Sequence, residues 1–312
     1  MERPRYPEPL NDHPHALEDT TALTKPLLFA MTITGAFTLV EFLGGLLSGS
    51  LALMSDAGHM LTDTVALGLS LVAVRIALRP PTEEQTFGFL RAEILAALVN
   101  GAVLIVITIV IFYEALRRLL DPPEVEAPLM LAVAVTGLAV NGAGLFILHD
   151  RSRSNLNVRG AFLHMFGDLL SSIGVIVGAV LILLFDLRVA DPVLSVLIGA
   201  IILVGAWKLV TQSTSVLLES VPNHIKLQDV RQSLLDVDGI DDIHDLHVWT
   251  LSSGRHALSV HVVVHDRLVS DCSGVVNRCE QMLMNKFSIS HTTFQLECAT
   301  CADNSCVFRP QK

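Results

Sequence analysis

Six long apolar stretches, at 26–49, 50–78, 93–116, 128–148, 160–185 and 191–210, alternate with short polar segments over the first two thirds of the chain. A helix needs about 20 mostly apolar residues to cross a bilayer, so this pattern predicts six transmembrane helices. Beyond residue 211 the period changes. Residues 227–237 have helical spacing and end at Asp238-Gly239, a turn signal. Residues 244–251 and 257–266 alternate as two strands around Ser252-Ser253-Gly254-Arg255. Residues 269–287 read as an amphipathic helix and 291–297 as a third strand. The order α-β-β-α-β predicts a small α+β sandwich, with the hairpin and last strand in one sheet and both helices on one face.

Composition agrees with this reading. Of the 312 residues 51% are apolar and only 17% charged, with a mean hydropathy of +0.56; a soluble domain carries about a quarter charged residues. Charge is concentrated at the end of the chain. Residues 212–312 hold 12 acidic and 8 basic side chains, a net of −4, which argues against nucleic acid as a partner. All five cysteines lie there, and an odd count with a CxxC fits reduced thiols or metal ligands better than a disulfide framework. Residues 1–25, with Pro4, Pro7, Pro9 and Pro14, lack the character of a signal peptide and read as a flexible arm.

Six spans place both ends on one side of the membrane, together with the loops 79–92 and 149–159. Those segments carry Arg3, Arg5, Lys25, Arg79, Arg91, Arg151, Arg153 and Arg159. On the other side, Arg117, Arg118 and Arg188 are diluted by Asp121, Glu124, Glu126 and Asp186. The excess of basic residues predicts cytoplasmic termini. The expected division is an arm (1–25), a six-helix membrane domain (26–211), an α+β domain (212–298) and a cysteine-containing tail (299–312).

Ionisable side chains within a span are costly and mark function. The second span holds Asp56, His59 and Asp63, and the fifth holds His164 and Asp168. Each therefore carries a His-x-x-x-Asp pair on one helix face. Two such helices face to face offer two nitrogens and two oxygens, a set suited to a tetrahedral divalent ion and to zinc best. Two polar patches hydrogen-bonded across the bundle would be the plainer explanation. It weighs less because the motif occurs twice where other intramembrane charge is nearly absent. Asp56 either lines the ion path or satisfies a neighbour, and Glu41, Asn100 and Asn141 read as helix–helix hydrogen-bonding positions. Gly44-Gly45, Gly49 and Gly142-Ala143-Gly144 read as close-packing positions.

Ser55-Asp56-Ala57-Gly58-His59 with Asp63, the run Thr86-Phe87-Gly88-Phe89-Leu90-Arg91-Ala92-Glu93, and Asn157 through His164 with Asp168 resemble the cation diffusion facilitators. Leu217-Leu218-Glu219-Ser220-Val221-Pro222 and His247-Val248-Trp249 extend the likeness into the tail. The resemblance implies a homodimeric exporter of zinc or a related divalent ion in exchange for protons, with a transport site of His59, Asp63, His164 and Asp168. It also implies regulatory zinc in a ferredoxin-like, metallochaperone-like cytoplasmic domain, where His247, His261, His291 and Glu297 match such positions. The loop 150–159 lacks the histidine-rich insert of many eukaryotic members, which points to a bacterial inner-membrane exporter.

Seven of the 12 histidines lie in the tail. Alternation places His261 and His265 on one strand face, opposite Val260, Val262 and Val264. His244 is a further candidate on the neighbouring strand, and the sequence leaves open whether it or His247 faces an ion. Cys298 and Cys301 form a candidate thiolate pair, and His13 and His15 on the arm are weaker candidates. The expected function is Zn²⁺/H⁺ antiport out of the cytoplasm. Export of Cd²⁺, Co²⁺ or Ni²⁺ by the same mechanism and a membrane-anchored metal sensor are the alternatives. An intramembrane metalloenzyme fits poorly, since four protein ligands would leave no open coordination position.

Overall fold

The computed structural model describes residues 32, 35–77, 79–148, 156–252, 254–265 and 268–298. Six helices come first: α1 (Gly35–Ser48), α2 (Leu51–Ala77), α3 (Ala92–Leu120), α4 (Ala127–Leu148), α5 (Leu156–Phe185) and α6 (Ala190–Leu217). They are followed by α7 (Leu227–Leu235), β1 (Asp242–Ser252), β2 (Arg255–Val263), α8 (Val269–Phe287) and β3 (Ile289–Glu297). Two compact units result: Met1–Val65 with Leu104–Val204, and Ala66–Val103 with Gly205–Lys312. The fold class is a polytopic helical membrane protein with a C-terminal α+β domain.

Among the described residues, α3, α6, Ala127–Ile147 of α4 and Met165–Phe185 of α5 are long and apolar enough to cross a membrane. The described part of α1 is apolar but shorter. Leu43, Val106, Val110, Leu170, Val177 and Ile201 stay exposed, as lipid-facing side chains do. Two helices outrun their apolar stretches. α5 begins at Leu156 and α6 continues to Leu217, because apolarity marks the part of a helix in lipid, not where its hydrogen bonds stop.

Small residues set the spacing of the bundle. A Cβ on Gly44 of α1 would lie 2.6 Å from Val133 Cγ2 of α4, and one on Gly137 of α4 would lie 2.9 Å from Phe37 Cε1 of α1. Gly144 of α4 is packed against Met165 of α5 in the same way. In the tight turn between α1 and α2, Gly49 has φ +71°, where a side chain would be strained.

The C-terminal α+β domain has one sheet among the described residues, in the order β1-β2-β3, with β1 antiparallel to β2 and β2 parallel to β3. The parallel pair requires a crossover, and α8 supplies it. Leu258, Val260 and Val262 alternate along β2 into a core with Val230 and Leu234 of α7 and Val275, Cys279 and Leu283 of α8. Both helices therefore cover one face, as expected. Asp238-Gly239 turns the chain into β1, with Gly239 at φ +96°. The second strand is shorter than expected: β2 stops at Val263, so His265 lies beyond it and not on the strand face with His261. There the Asp241 amide donates to Val263 O, the Val264 amide donates to Glu297 O, and His265 Nδ1 pairs with Asp241 Oδ2.

Candidate metal centres

The intramembrane candidates sit where α1, α2 and α5 meet. Asp56 is 1% exposed, and its Oδ1 accepts a hydrogen bond of 2.7 Å from Ser171 Oγ of α5. Positions three apart share a helix face, so this bond turns the α2 face with Asp56 and His59 toward the α5 face with Asp168 and Ser171. Asp168 is 3% exposed. Glu41 of α1, buried at 1%, lies within electrostatic range of both Asp56 and Asp168. Asp56 thus has neighbours on two helices. Asn141 differs from its expected role: it is buried, and neither amide atom has a hydrogen-bond partner among the described residues. The side chains of Asp63 and His164 lie outside the described set, although their backbones are within α2 and α5. Sequence reading missed Ser171, a common residue with no charge to flag it.

A second group forms on the outer face of the sheet. One ligand atom from each of His244, His261 and Glu297 lies within 4.8 Å of the others. Glu297 links the rings, with Oε2 3.2 Å from His244 Nε2 and Oε1 2.9 Å from His261 Nδ1. Two imidazoles and a carboxylate can hold a divalent ion with a fourth position open. The register explains why these residues meet. His244 lies opposite His261, and Glu297 lies opposite Val263 on the adjoining strand. Between His244 and His247 the ladder shifts, and Asp245 takes φ +49°. This bulge changes the alternation, so Ile243 and Val248 both face the core. His244 and His247 consequently share the outer face.

The remaining tail candidates have other neighbours. His247 Nε2 lies 3.0 Å from Asp245 Oδ1, and the other oxygen of that carboxylate lies 3.7 Å from His261 Nε2. His291 packs edge-on against Phe87, with ring centroids 5.4 Å apart. Cys298 is exposed; Cys301, His13 and His15 lie outside the described residues. Cys272 and Cys279 are core residues of α8. Burial pushes the Cys279 thiol up to about 11, which disfavours the thiolate that metals bind. Two of the motif segments also meet: Arg91 donates to Glu219 over 2.8 Å beside a cavity of about 490 Å³ lined by Phe87, Phe89, Trp249 and Leu251.

His256 provides a pH test of the cytoplasmic fold. It is buried beside Thr250 and 5.1 Å, ring to ring, from His224. Burial first, then the neighbouring imidazole, lowers its pKa from the ordinary 6.5. The folded domain therefore binds this proton less readily than the unfolded chain. Stability is full above about pH 6.5 and falls as the pH drops below it. The urea midpoint of the purified protein is expected to decline from about pH 7.5 to about pH 5.5, with a shallower decline in His256→Gln. Equal slopes in the two proteins would refute the assignment.

The cation efflux transmembrane domain matches residues 27–218, and the cytoplasmic domain of cation efflux proteins matches residues 222–299. The chain belongs to the cation efflux family. This is a family of membrane transporters, and metal-cation efflux is the activity it shares. Among the relatives of this cation efflux protein is the metal cation efflux system protein CzcD of Cupriavidus metallidurans, 44% identical over 291 residues, 93% of this chain and 90% of that one. The zinc transporter ZitB of Escherichia coli is 41% identical over 297 residues, 94% and 92% of the two chains. A cadmium, cobalt and zinc/H(+)-K(+) antiporter of Bacillus subtilis is 38% identical over 291 residues, 92% and 93%.

Proposed function

We propose that this cation efflux protein is a Zn²⁺/H⁺ antiporter that lowers cytoplasmic zinc, with His59, Asp63, His164 and Asp168 as the ligands of the transported ion. The observation that supports the reading is the hydrogen bond between Asp56 and Ser171, which turns the α2 face of Asp56 and His59 toward the α5 face of Asp168 and Ser171 in an apolar bundle. Imidazole must be neutral to bind metal, so protons and zinc compete for the same nitrogens. Open to the cytoplasm, the site gives up protons and takes zinc. Open to a more acidic exterior, it releases zinc and reloads with protons. Rocking of helices about the site exchanges the two states.

In this reading all six helices span a bacterial cytoplasmic membrane, both termini are cytoplasmic, and the protein works as a homodimer. His244, His261 and Glu297 hold a regulatory ion outside the bilayer. The names of relatives that handle cadmium and cobalt support a transport site that also accepts those ions. Zinc uptake into proteoliposomes with an acidic lumen tests the mechanism. Antiport predicts uptake that stops when an ionophore collapses the pH gradient; uptake indifferent to the gradient would overturn it.

A further inference from the structure

A buried carboxylate with three hydrogen bonds in the first unit is not one of the expected ligands. Asp191, in the first turn of α6, is 0% exposed. Its Oδ1 accepts from Ser50 Oγ at 2.5 Å and from the Ala52 amide at 3.1 Å. Its Oδ2 accepts from the Leu51 amide at 2.8 Å. Ser50 Oγ in turn accepts from the Leu53 amide at 3.2 Å, and Ser48 Oγ accepts from the Ser50 amide at 3.3 Å. The first amides of a helix have no partner within it. Here all of those of α2 are satisfied, two of them by a carboxylate about 140 residues away in sequence. A negative charge there also opposes the positive end of the helix dipole.

A third helix closes the arrangement. Arg118 of α3 donates to Gly49 O over 2.5 Å, and its Nη1 lies 3.8 Å from Asp191 Oδ2. Glu114, one turn earlier, holds the same guanidinium at 3.1 Å. The start of α2 is thereby fastened to α3 and α6 by an ionic knot around the buried Asp191.

We propose that Asp191 is a positioning residue for ion transport: by pinning the first turn of α2 it fixes the distance and rotation of the ligands on that helix relative to those on α5. The proposal rests on the reading of His59 and Asp168 as ion ligands. Its force is geometric. His59 lies nine residues beyond Ser50, about 13 Å along the helix. A tilt of only about 1° about the pinned end moves it by about 0.2 Å, the tolerance of a metal–ligand bond. Loosening the knot therefore alters the cage before it unfolds anything. A cage that no longer holds its size discriminates less well between zinc and a larger ion of similar chemistry.

Asp191→Asn is the sharp variant. Both carboxylate oxygens face donors, Ser50 and Ala52 on one and Leu51 and Arg118 on the other. Whichever way the amide is turned, its NH₂ confronts a donor. The experiment is Zn²⁺ and Cd²⁺ flux in proteoliposomes, each normalised to reconstituted protein, for wild type, Asp191→Asn and Asp168→Ala. Positioning predicts that Asp191→Asn lowers zinc flux by on the order of tenfold and cadmium flux by less, so that the Zn/Cd ratio falls at least about threefold. A cap that serves only stability reduces the number of active molecules, lowers both fluxes in the same proportion and leaves the ratio unchanged, which overturns the proposal. Wild-type fluxes for both ions overturn it as well. Zinc flux retained in Asp168→Ala would instead refute the ligand assignment, so the two failures are distinguishable.

Discussion

Asp168→Ala is expected to reduce gradient-driven zinc flux on the order of 100-fold or more while the protein still folds and inserts. The carboxylate is 3% exposed in the middle of an apolar bundle, where an ionisable side chain is costly and marks function. On the proposed reading it is a direct ligand of the transported ion. Even an indirect supporter of a metal site changes affinity by about 10- to 100-fold when removed, and loss of a direct ligand belongs at or above that range. Alanine also removes a charge from the membrane interior, so the variant has no reason to misfold for electrostatic cause. Asp168→Asn keeps the shape and one oxygen donor, and its flux should fall between the two. Flux should be measured beside the urea midpoint of the C-terminal domain, which is expected to stay unchanged. Flux in Asp168→Ala within twofold of wild type would remove Asp168 from the site.

Leu258→Ala should be the most damaging single truncation in the cytoplasmic domain. Leu258 is 0% exposed at the centre of the middle strand, opposite Val248 on β1 and Thr292 on β3. Leu-to-Ala substitutions at such sites cost about 2–5 kcal/mol, because neighbours collapse only partly into the void. Domains are stable by about 5–15 kcal/mol in all, so this change removes a large share. Urea unfolding of the full chain, followed by the fluorescence of Trp249 in a Trp207→Phe background, should show an earlier transition of the same steepness. His261→Ala, at a half-buried position on the opposite face, should leave that transition nearly in place and abolish metal binding by the sheet. If His261→Ala destabilised as much as Leu258→Ala, the two faces of the sheet would not have separate roles.

What the sequence revealed and what it hid follow from the range of the forces involved. The bounds of α8 at 269–287 were legible because each turn repeats the same apolar face. The His-x-x-x-Asp pairs were legible because charge in an apolar stretch needs a reason. The direction of His244 was not, since strict alternation sets it opposite His247, and only the bulge at Asp245 brings both to one face. The end of β2 was equally hidden: His265 continues the alternation, but Asp241 takes it as a partner. Asp191 read as no more than the start of a span. Its partners lie at Ser50, Leu51 and Ala52, and no pattern within one helix announces a cap supplied by another.

The parallel pairing of β2 with β3 also sets an order of assembly. As the chain is synthesised, the β1–β2 hairpin can present His244 and His261 early, but Glu297 exists as their neighbour only after α8 has folded across and β3 has docked at the sheet edge. Non-local pairings of this kind form late. A half-made domain thus lacks the carboxylate that lies against both imidazoles. On the reading that His244, His261 and Glu297 hold an ion, its capture is the closing event of the domain's maturation, completed only when the final strand is in place.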